Sequence, residues 1–173
     1  MSSAERTRLN TFTDSPLDRC GEHRANAEWM AAQGAAAHAR WLPFDSDGRA
    51  PVRDHRLCWI GAGKFAPDAP ANFLGCVAGT PLYALREPVA HAMFPEAQWL
   101  DLRTAASELE REDAAVFAYA RGLANWQAAT RYCGYCGASL ALVDGGHRAA
   151  CGGCGRLHFP RTDAAIIVIV EHG

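Results

Sequence analysis

Four cysteines near the end of the chain have the type and spacing needed to hold a metal ion. They form two C-x₂-C motifs separated by fourteen residues. Zn²⁺ in structural sites takes four ligands in a tetrahedron, and each C-x₂-C turn supplies two thiolates from one tight loop. Glycines within and after both motifs let the backbone turn closely around an ion. The sequence therefore predicts a zinc site with the ligands Cys133, Cys136, Cys151 and Cys154.

An all-cysteine site has no open position for water, so the predicted zinc is structural rather than catalytic. Residues 139–143 and 148–150 flank Asp144-Gly145-Gly146, a pattern typical of a short hairpin between the two motifs. About 35 residues cannot bury enough apolar surface to fold alone, and metal binding would supply the missing stability. The segment 126–162 is thus predicted to be a zinc ribbon.

Other chemistries of the same cysteines are four unmetallated thiols, two disulfides or a redox-active pair. A redox pair needs only one motif, and no thioredoxin-like pattern surrounds either. The remaining cysteines, Cys20, Cys58 and Cys76, are isolated in the sequence. An odd remainder beside a metal motif fits a reducing compartment, which predicts a cytoplasmic protein. We expect these three residues to be buried as small apolar side chains.

The composition is that of a soluble globular protein with room for one ordinary domain and a small one. The 173 residues are 49% hydrophobic and 21% charged. No apolar run approaches the roughly 18 residues of a membrane span, and no signal core is present. The net charge of −2 argues against a general nucleic-acid-binding surface, although the ribbon itself is basic.

The segments before the cysteine motifs alternate between strand-like and helical patterns. We predict an α+β fold: a mixed sheet-and-helix domain over residues 1–125, followed by the ribbon. Its last helix should lead directly into the first cysteine motif. The predicted helices cover 17–33, 102–110 and 114–130, and the predicted strands cover 37–44, 57–61, 73–78 and 82–85, with a tight turn at 79–81.

These motifs carry a resemblance to a known family. The cysteine motifs, the preceding Leu-Ala-Asn-Trp at 123–126 and the following His-Phe-Pro-Arg at 158–161 resemble the NADH pyrophosphatase branch of the Nudix hydrolases. Residues 73–85 and 99–103 are similar to that family's N-terminal domain. The resemblance implies an N-terminal domain, a zinc ribbon and then a catalytic Nudix domain. It also implies hydrolysis of NAD(H) to AMP and nicotinamide mononucleotide with Mg²⁺ or Mn²⁺, removal of NAD caps from RNA by some members, and a homodimer.

One departure from the family concerns catalysis. The Nudix box, G-x₅-E-x₇-R-E-U-x-E-E-x-G-U, is absent from the 173 residues. Its glutamates hold the divalent ions that polarise the pyrophosphate and activate water. Residues 164–170 match the first Nudix strand, so 163–173 is interpreted as the start of a truncated Nudix domain. We expect no pyrophosphatase activity from these residues alone.

A second departure concerns Phe159. The resemblance places an aromatic residue, often Tyr, just before the proline and near the substrate. Phe keeps the ring for stacking but lacks the hydroxyl, and its alternative role is packing at the ribbon–Nudix junction.

A different class of function is a stand-alone, non-catalytic zinc ribbon that binds RNA or a protein partner. The acidic net charge argues against it. So does the expectation that no basic groove carries exposed stacking aromatics.

Overall fold

The computed structural model describes residues 10–64, 70–161 and 168–171. Within them the chain forms three helices, which are α1 (Ala27–Gly34), α2 (Leu102–Glu108) and α3 (Arg111–Ala129). The first strands are β1 (Arg40–Leu42), β2 (Ala50–Arg53), β3 (Arg56–Leu57), β4 (Ile60–Gly61) and β5 (Ala71–Val77). The others are β6 (Thr80–Leu85), β7 (Gln98–Leu100), β8 (Leu140–Val143), β9 (Arg148–Cys151) and β10 (Leu157–His158). The α+β class predicted from the sequence is confirmed.

The largest sheet has the order β4-β1-β6-β5, with β1 parallel to β6 and the other pairs antiparallel. The β5–β6 hairpin forms one side of this sheet, with β5 at the edge, and confirms the two strands predicted there. Val77 pairs with Thr80, so the connecting residues are Ala78 and Gly79, both with positive φ (48° and 79°). Two positive φ values give the turn a twist that matches the strands. The turn therefore begins one residue before the predicted one.

A second sheet, β3-β2-β7, was only partly foreseen. β2 contains Pro51 and β7 has three residues, so neither shows the alternation that predicts a strand. The strand predicted over 37–44 is only Arg40–Leu42. The segment 57–61 divides between β3 and β4, which belong to different sheets.

The helix predicted over 17–33 is wrong in its first half. Only Ala27–Gly34 is helical, with the Asn26 side chain accepting a hydrogen bond from the Trp29 N–H at its start. Upstream, Asp18 pairs with Cys76 on β5 through two backbone hydrogen bonds of 2.8 and 2.9 Å. Pairing with a distant strand overrides the local helical pattern there.

The main core lies between the sheets and the two later helices. Phe117 on α3 is fully buried and stacks on Phe44, with ring centroids 5.8 Å apart. A second apolar cluster surrounds Phe73, Trp41 and Tyr83. Burying an aromatic side chain contributes about 2–3 kcal/mol, so these rings dominate the stability of the domain.

α3 is also tied to β3 by a buried carboxylate. Asp113, with 11% of its side chain exposed, accepts hydrogen bonds from the Arg56 Nε and from the Leu57 backbone N–H, both at 2.8 Å. The ion pair and backbone bond fix the helix against the second sheet.

Among the described helices, none is long and apolar enough to cross a lipid bilayer. Residues 164–167 of the predicted Nudix strand lie outside the described residues. Residues 168–170 form no strand and are exposed.

Candidate metal centre and adjoining cleft

α3 delivers the chain into the first cysteine motif, as predicted. In that motif the Cys133 N–H donates to the Ala138 carbonyl, and the Gly137 N–H donates to the Cys133 carbonyl, both at 2.8 Å. The second motif repeats the pattern, with Cys151 bonded in the same way to Arg156 and Gly155. The equivalent glycines have φ of 75° and 71°, a conformation that glycine adopts without steric cost. The two motifs therefore form knuckles of matching backbone geometry.

The four sulfur atoms of the knuckles converge. They all lie within 4.8 Å of one another, with Cys133 and Cys154 at 3.7 Å and Cys136 and Cys151 at 3.4 Å. A tetrahedron with Zn–S distances of about 2.3 Å has edges of about 3.8 Å. A disulfide needs about 2.05 Å between sulfurs, and every described cysteine is free. The cluster therefore fits a four-coordinate zinc ion and could hold one.

The protonation of these thiols is uneven. Backbone N–H groups of Tyr135 and Cys136 lower the pKa of Cys133 to about 7. The Cys154 N–H, aided by that of Gly153, lowers the pKa of Cys151 to about 6. Backbone N–H groups thus prepare two of the thiols to be thiolate ligands.

Cys136 shows why the cluster needs a cation. The Ala138 N–H lowers its pKa, but sharing of protons with the sulfurs of Cys151 and Cys154 dominates and raises it to about 12. Neighbouring thiols cannot all ionise unless a positive charge lies among them. A divalent ion would provide that charge.

The remaining cysteines are not all buried as expected. Cys20 is buried, and desolvation raises its pKa to about 12, whereas Cys58 and Cys76 are half-buried. Burial also raises the pKa of both half-buried thiols. Raised pKa values make all three poor nucleophiles at neutral pH.

The β8–β9 turn attaches the ribbon to the first domain through His147. Its Nε2 donates to the Phe73 carbonyl at 2.6 Å, and its Nδ1 accepts from the Tyr119 hydroxyl at 3.3 Å. Burial lowers the pKa of His147 to about 4, so the ring is neutral at physiological pH.

A second attachment uses side-chain amides. Gln127 on α3 donates to the Gly146 carbonyl at 2.7 Å. Asn72 and Gln127 bond to each other in both directions, at 2.9 and 3.1 Å. The sequence carried no sign of these contacts because Asn72 is 55 positions from Gln127.

Phe159 lies on a cleft of about 550 Å³ beside the ribbon and is 53% exposed. The guanidinium of Arg19 stacks over the Tyr119 ring in this cleft, 4.4 Å from its centroid. An aromatic face can stack on a flat ring, and a neighbouring guanidinium group can bind a phosphate attached to that ring. We call this the aromatic cleft; it is lined by Arg19, Arg24, Tyr119, Trp126, His147 and Phe159 among others.

The aromatic cleft joins residues that the sequence analysis did not connect. Only Phe159 was predicted there, and Arg19 is 100 positions from Tyr119. Trp126 also lines the cleft. The signal that could have found the others is weak, since it consists of isolated arginines and aromatics.

Comparison with known proteins identifies the first domain. Residues 38–126 match the NUDIX-like family model, described as the NADH pyrophosphatase-like rudimentary NUDIX domain. The matched range covers β1 to β7 and α2, and it ends within α3.

Curated relatives extend the similarity beyond that domain. The chain is 32% identical over 115 residues to the NAD-capped RNA hydrolase NudC of Pseudomonas fluorescens, which is 66% of this chain and 41% of the relative. It is 30% identical over 100 residues to the protein of the same name from Stutzerimonas stutzeri, which is 58% of this chain and 36% of the relative. To the Chromobacterium violaceum protein of that name it is 27% identical over 141 residues, which is 78% of this chain and 49% of the relative. The chain thus spans half the length or less of these three relatives.

Proposed function

This chain belongs to the NADH pyrophosphatase-like NUDIX family, and we propose on that basis that it forms the N-terminal and zinc-ribbon portion of an NAD(H)-cleaving hydrolase. The substrate would be the pyrophosphate of NAD(H) or of NAD-capped RNA, as the names of the relatives suggest. The observation that carries the proposal is that the family match ends inside α3, which leads directly to a four-cysteine cluster.

We propose three units along the chain. Residues 1–125 form the NUDIX-like domain, 126–162 the zinc ribbon, and 163–173 the start of a catalytic Nudix domain. α3 spans the first boundary, which supports a rigid connection between the first two units. Zn²⁺ held by Cys133, Cys136, Cys151 and Cys154 would be structural, because a site with four thiolates has no open position.

Catalysis would reside in a Nudix box that these 173 residues do not contain. The box would hold Mg²⁺ or Mn²⁺ on its glutamates, and the chain by itself would be inactive. The direct test compares this chain with a longer product of the same reading frame. We expect NADH hydrolysis, measured as the release of AMP, only from a product that contains a Nudix box.

Two outcomes would contradict this proposal. NADH hydrolysis by the 173-residue chain would show that catalysis does not need a Nudix box. A longer product with a Nudix box but no hydrolysis of NADH, NAD⁺ or NAD-capped RNA would favour the non-catalytic alternative, a zinc ribbon that binds RNA or a protein partner.

Phe159 is proposed to contact the substrate through its ring. Its exposure on the aromatic cleft, beside Trp126, supports this role. In the longer, active product, Phe159→Ala should raise KM for NADH about tenfold, because base–aromatic stacking contributes roughly 1–3 kcal/mol. Phe159→Tyr keeps the ring and should restore binding. Equal KM values for Phe159→Ala and the parent would assign Phe159 to packing alone.

We further propose a cytoplasmic homodimer. The unpaired cysteines support a reducing compartment. Exposed Tyr135 and Leu157 on the ribbon supply apolar surface that a second copy could cover. Light scattering of the purified chain would give its mass, and a monomer at micromolar concentration would contradict dimerisation by this portion.

A further inference from the structure

A second cleft, of about 610 Å³, lies beside α3 and contains three arginines, Arg86, Arg121 and Arg131. An adjoining cleft shares Arg86 and Arg131 and adds Tyr132, whose side chain is 67% exposed. Together they form one surface, which we call the arginine groove. The groove runs from the loop after β6, along the end of α3, to β8 of the ribbon.

The three arginines of this groove form no ion pair within the part of the chain that the structure describes. None of its three guanidinium groups lies within ion-pair distance of a described carboxylate. Elsewhere the arginines are engaged, as in the pairs Arg53–Glu96 and Arg111–Asp14. The groove therefore presents several unneutralised donors to an incoming anion.

The carboxylates that line the groove are largely committed elsewhere. Asp45 lies 2.9 Å from His91 and accepts the backbone N–H groups of Asp47 and Arg49. Asp47 lies 3.7 Å from Arg49. Glu87 is the groove carboxylate for which no ion pair is present among the described residues. With Asp47 paired to Arg49, the three guanidinium groups face two other carboxylates, Asp45 and Glu87, so the lining carries a small excess of positive charge.

Arg121 lies against the loop before β2. Its guanidinium lies 5.9 Å from the Phe44 ring centroid. It also packs against Gly48, where φ is 73° and an added Cβ would lie 2.1 Å from the Arg121 Nη1. A Cβ at position 48 would therefore displace the flexible end of the Arg121 side chain. Gly48 thus leaves room for the guanidinium beside this loop.

The arginine groove is separate from the aromatic cleft. Tyr119, Gly122 and Trp126 of α3 line the aromatic cleft, whereas Arg121, Asn125 and Ala128 line the groove. At 100° per residue these two sets lie on opposite faces of the helix. A ligand in one site therefore does not occupy the other.

We propose that the arginine groove binds the phosphate backbone of single-stranded RNA, with Tyr132 stacking on a base. This inference rests on the proposed function, in which NAD-capped RNA is a substrate, and assigns a surface for the RNA chain. Planar guanidinium groups match phosphate geometry, and an exposed aromatic beside them provides sequence-tolerant stacking. The structure thus contains the basic groove with an exposed aromatic that the sequence analysis did not expect.

The test uses the 173-residue chain and a fluorescein-labelled, 5′-hydroxyl single-stranded RNA of about 15 nucleotides. Fluorescence anisotropy would be measured over a series of salt concentrations. The double variant Arg86→Ala/Arg131→Ala removes two exposed guanidinium groups. We expect its affinity to fall about tenfold and its salt slope to decrease by about 1.4, since each phosphate contact on a single strand contributes about 0.7.

The matched control is the double variant Arg53→Ala/Arg103→Ala, which removes the same charge from outside both clefts. We expect less than a twofold change in RNA affinity for the control. Tyr132→Ala should weaken binding without changing the salt slope. Circular dichroism would verify that each variant is folded.

Several outcomes would overturn the inference: no RNA binding by the parent at low salt, equal losses in both double variants, or displacement of the RNA by NADH. The RNA carries no NAD cap, so this measurement is independent of hydrolysis. RNA binding by the groove without NADH cleavage by the longer product would contradict the proposed function and support the RNA-binding role of the groove. NADH cleavage without RNA binding would contradict only the role of the groove.

Discussion

At the scale of residues, the four thiols decide what the ribbon can do. Their sulfurs lie within 4.8 Å of one another, where mutual repulsion prevents all of them from ionising without a cation. Backbone N–H groups favour the thiolates of Cys133 and Cys151, while Cys136 retains its proton in the metal-free cluster. The cluster is therefore better suited to metal binding than to nucleophilic attack.

Replacing one predicted ligand should release the metal. We expect purified parent chain to contain one zinc ion and Cys136→Ser to contain little, because a hydroxyl is a poor ligand in a thiolate site. The ribbon should then lose its fold, as binding energies of roughly 10–16 kcal/mol stabilise comparable zinc domains. Elemental analysis and thermal denaturation would measure both effects.

The control for this prediction is Cys58→Ser, which changes a half-buried cysteine outside the cluster. It should keep its zinc. Full zinc content and unchanged stability in Cys136→Ser would show that the four-thiolate assignment is wrong.

His147 makes stability depend on pH. Its pKa is about 4 in the folded chain and about 6.5 when exposed, because burial and the charges of Arg24 and Arg19 disfavour the cation. The stability that neutral His147 contributes to the fold is therefore fully present above about pH 6.5 and is lost as the pH falls towards 4. The free energy of unfolding should decrease by roughly 3 kcal/mol across that range.

Chemical denaturation at several pH values would test this, with zinc content followed because acid also protonates thiolates. His147→Gln keeps a donor for the Phe73 carbonyl and does not titrate. The difference between parent and variant isolates the histidine. Parallel pH profiles for the two would contradict a buried, neutral His147.

At the scale of elements, the short turn Asp144–Gly146 joins the ribbon to the sheet. The turn has positive φ at all three residues, including Asp144. It packs closely enough that a Cβ at Gly145 would lie 2.9 Å from Phe73, and a Cβ at Gly146 would lie 2.3 Å from Asn72. A hairpin turn therefore serves as the docking element of a small domain.

Gly146→Ala should disrupt that docking. Both the φ of 92° and the overlap with Asn72 and Gln127 oppose a methyl group there. We expect a loss of at least about 2 kcal/mol in the free energy of unfolding. Gly122→Ala is the control, because Gly122 lies in α3 with nothing within 4 Å of its added Cβ.

The control should be stabilised by about 0.5–1 kcal/mol, since alanine is the better helix former. Denaturant unfolding measures both variants. Equal stability of the two alanine variants would mean that the turn is not packed against the sheet as described.

At the scale of the whole molecule, stability comes from two different sources. The first domain has an apolar core with Phe117, Phe73, Leu42 and Leu74 fully buried. In the ribbon, the buried residues are chiefly Cys133, Cys151 and Ala149, which contribute little apolar surface. We therefore expect the ribbon to depend on a bound metal and on its contacts with the first domain.

Removing zinc should accordingly affect one part of the molecule. With EDTA present, we expect amide protons of β8 and β9 to exchange rapidly, while those of β5 and β6 stay protected. Hydrogen exchange followed by mass spectrometry would show this, and added Zn²⁺ should restore protection. Loss of protection across the entire chain would instead indicate a single cooperative unit.

Short-range patterns allowed the sequence to predict part of this structure. The cysteine knuckles, the β5–β6 and β8–β9 hairpins, α2 and α3 all depend on residues within about 20 positions of one another. The family was also evident from such motifs, and the match over residues 38–126 confirmed it. Spacing, glycine placement and helical periodicity are local properties that a sequence displays directly.

The tertiary structure decided what depends on distant partners. Asp18 pairs with Cys76 and so removes half of a predicted helix, while β2 and β7 exist because they pair with each other. The aromatic cleft and the arginine groove combine side chains from separate elements on opposite faces of α3. The sequence alone determined the zinc motif and the family, because their signals are local. Only folding decided the two clefts, because long-range packing leaves no periodic trace in the chain.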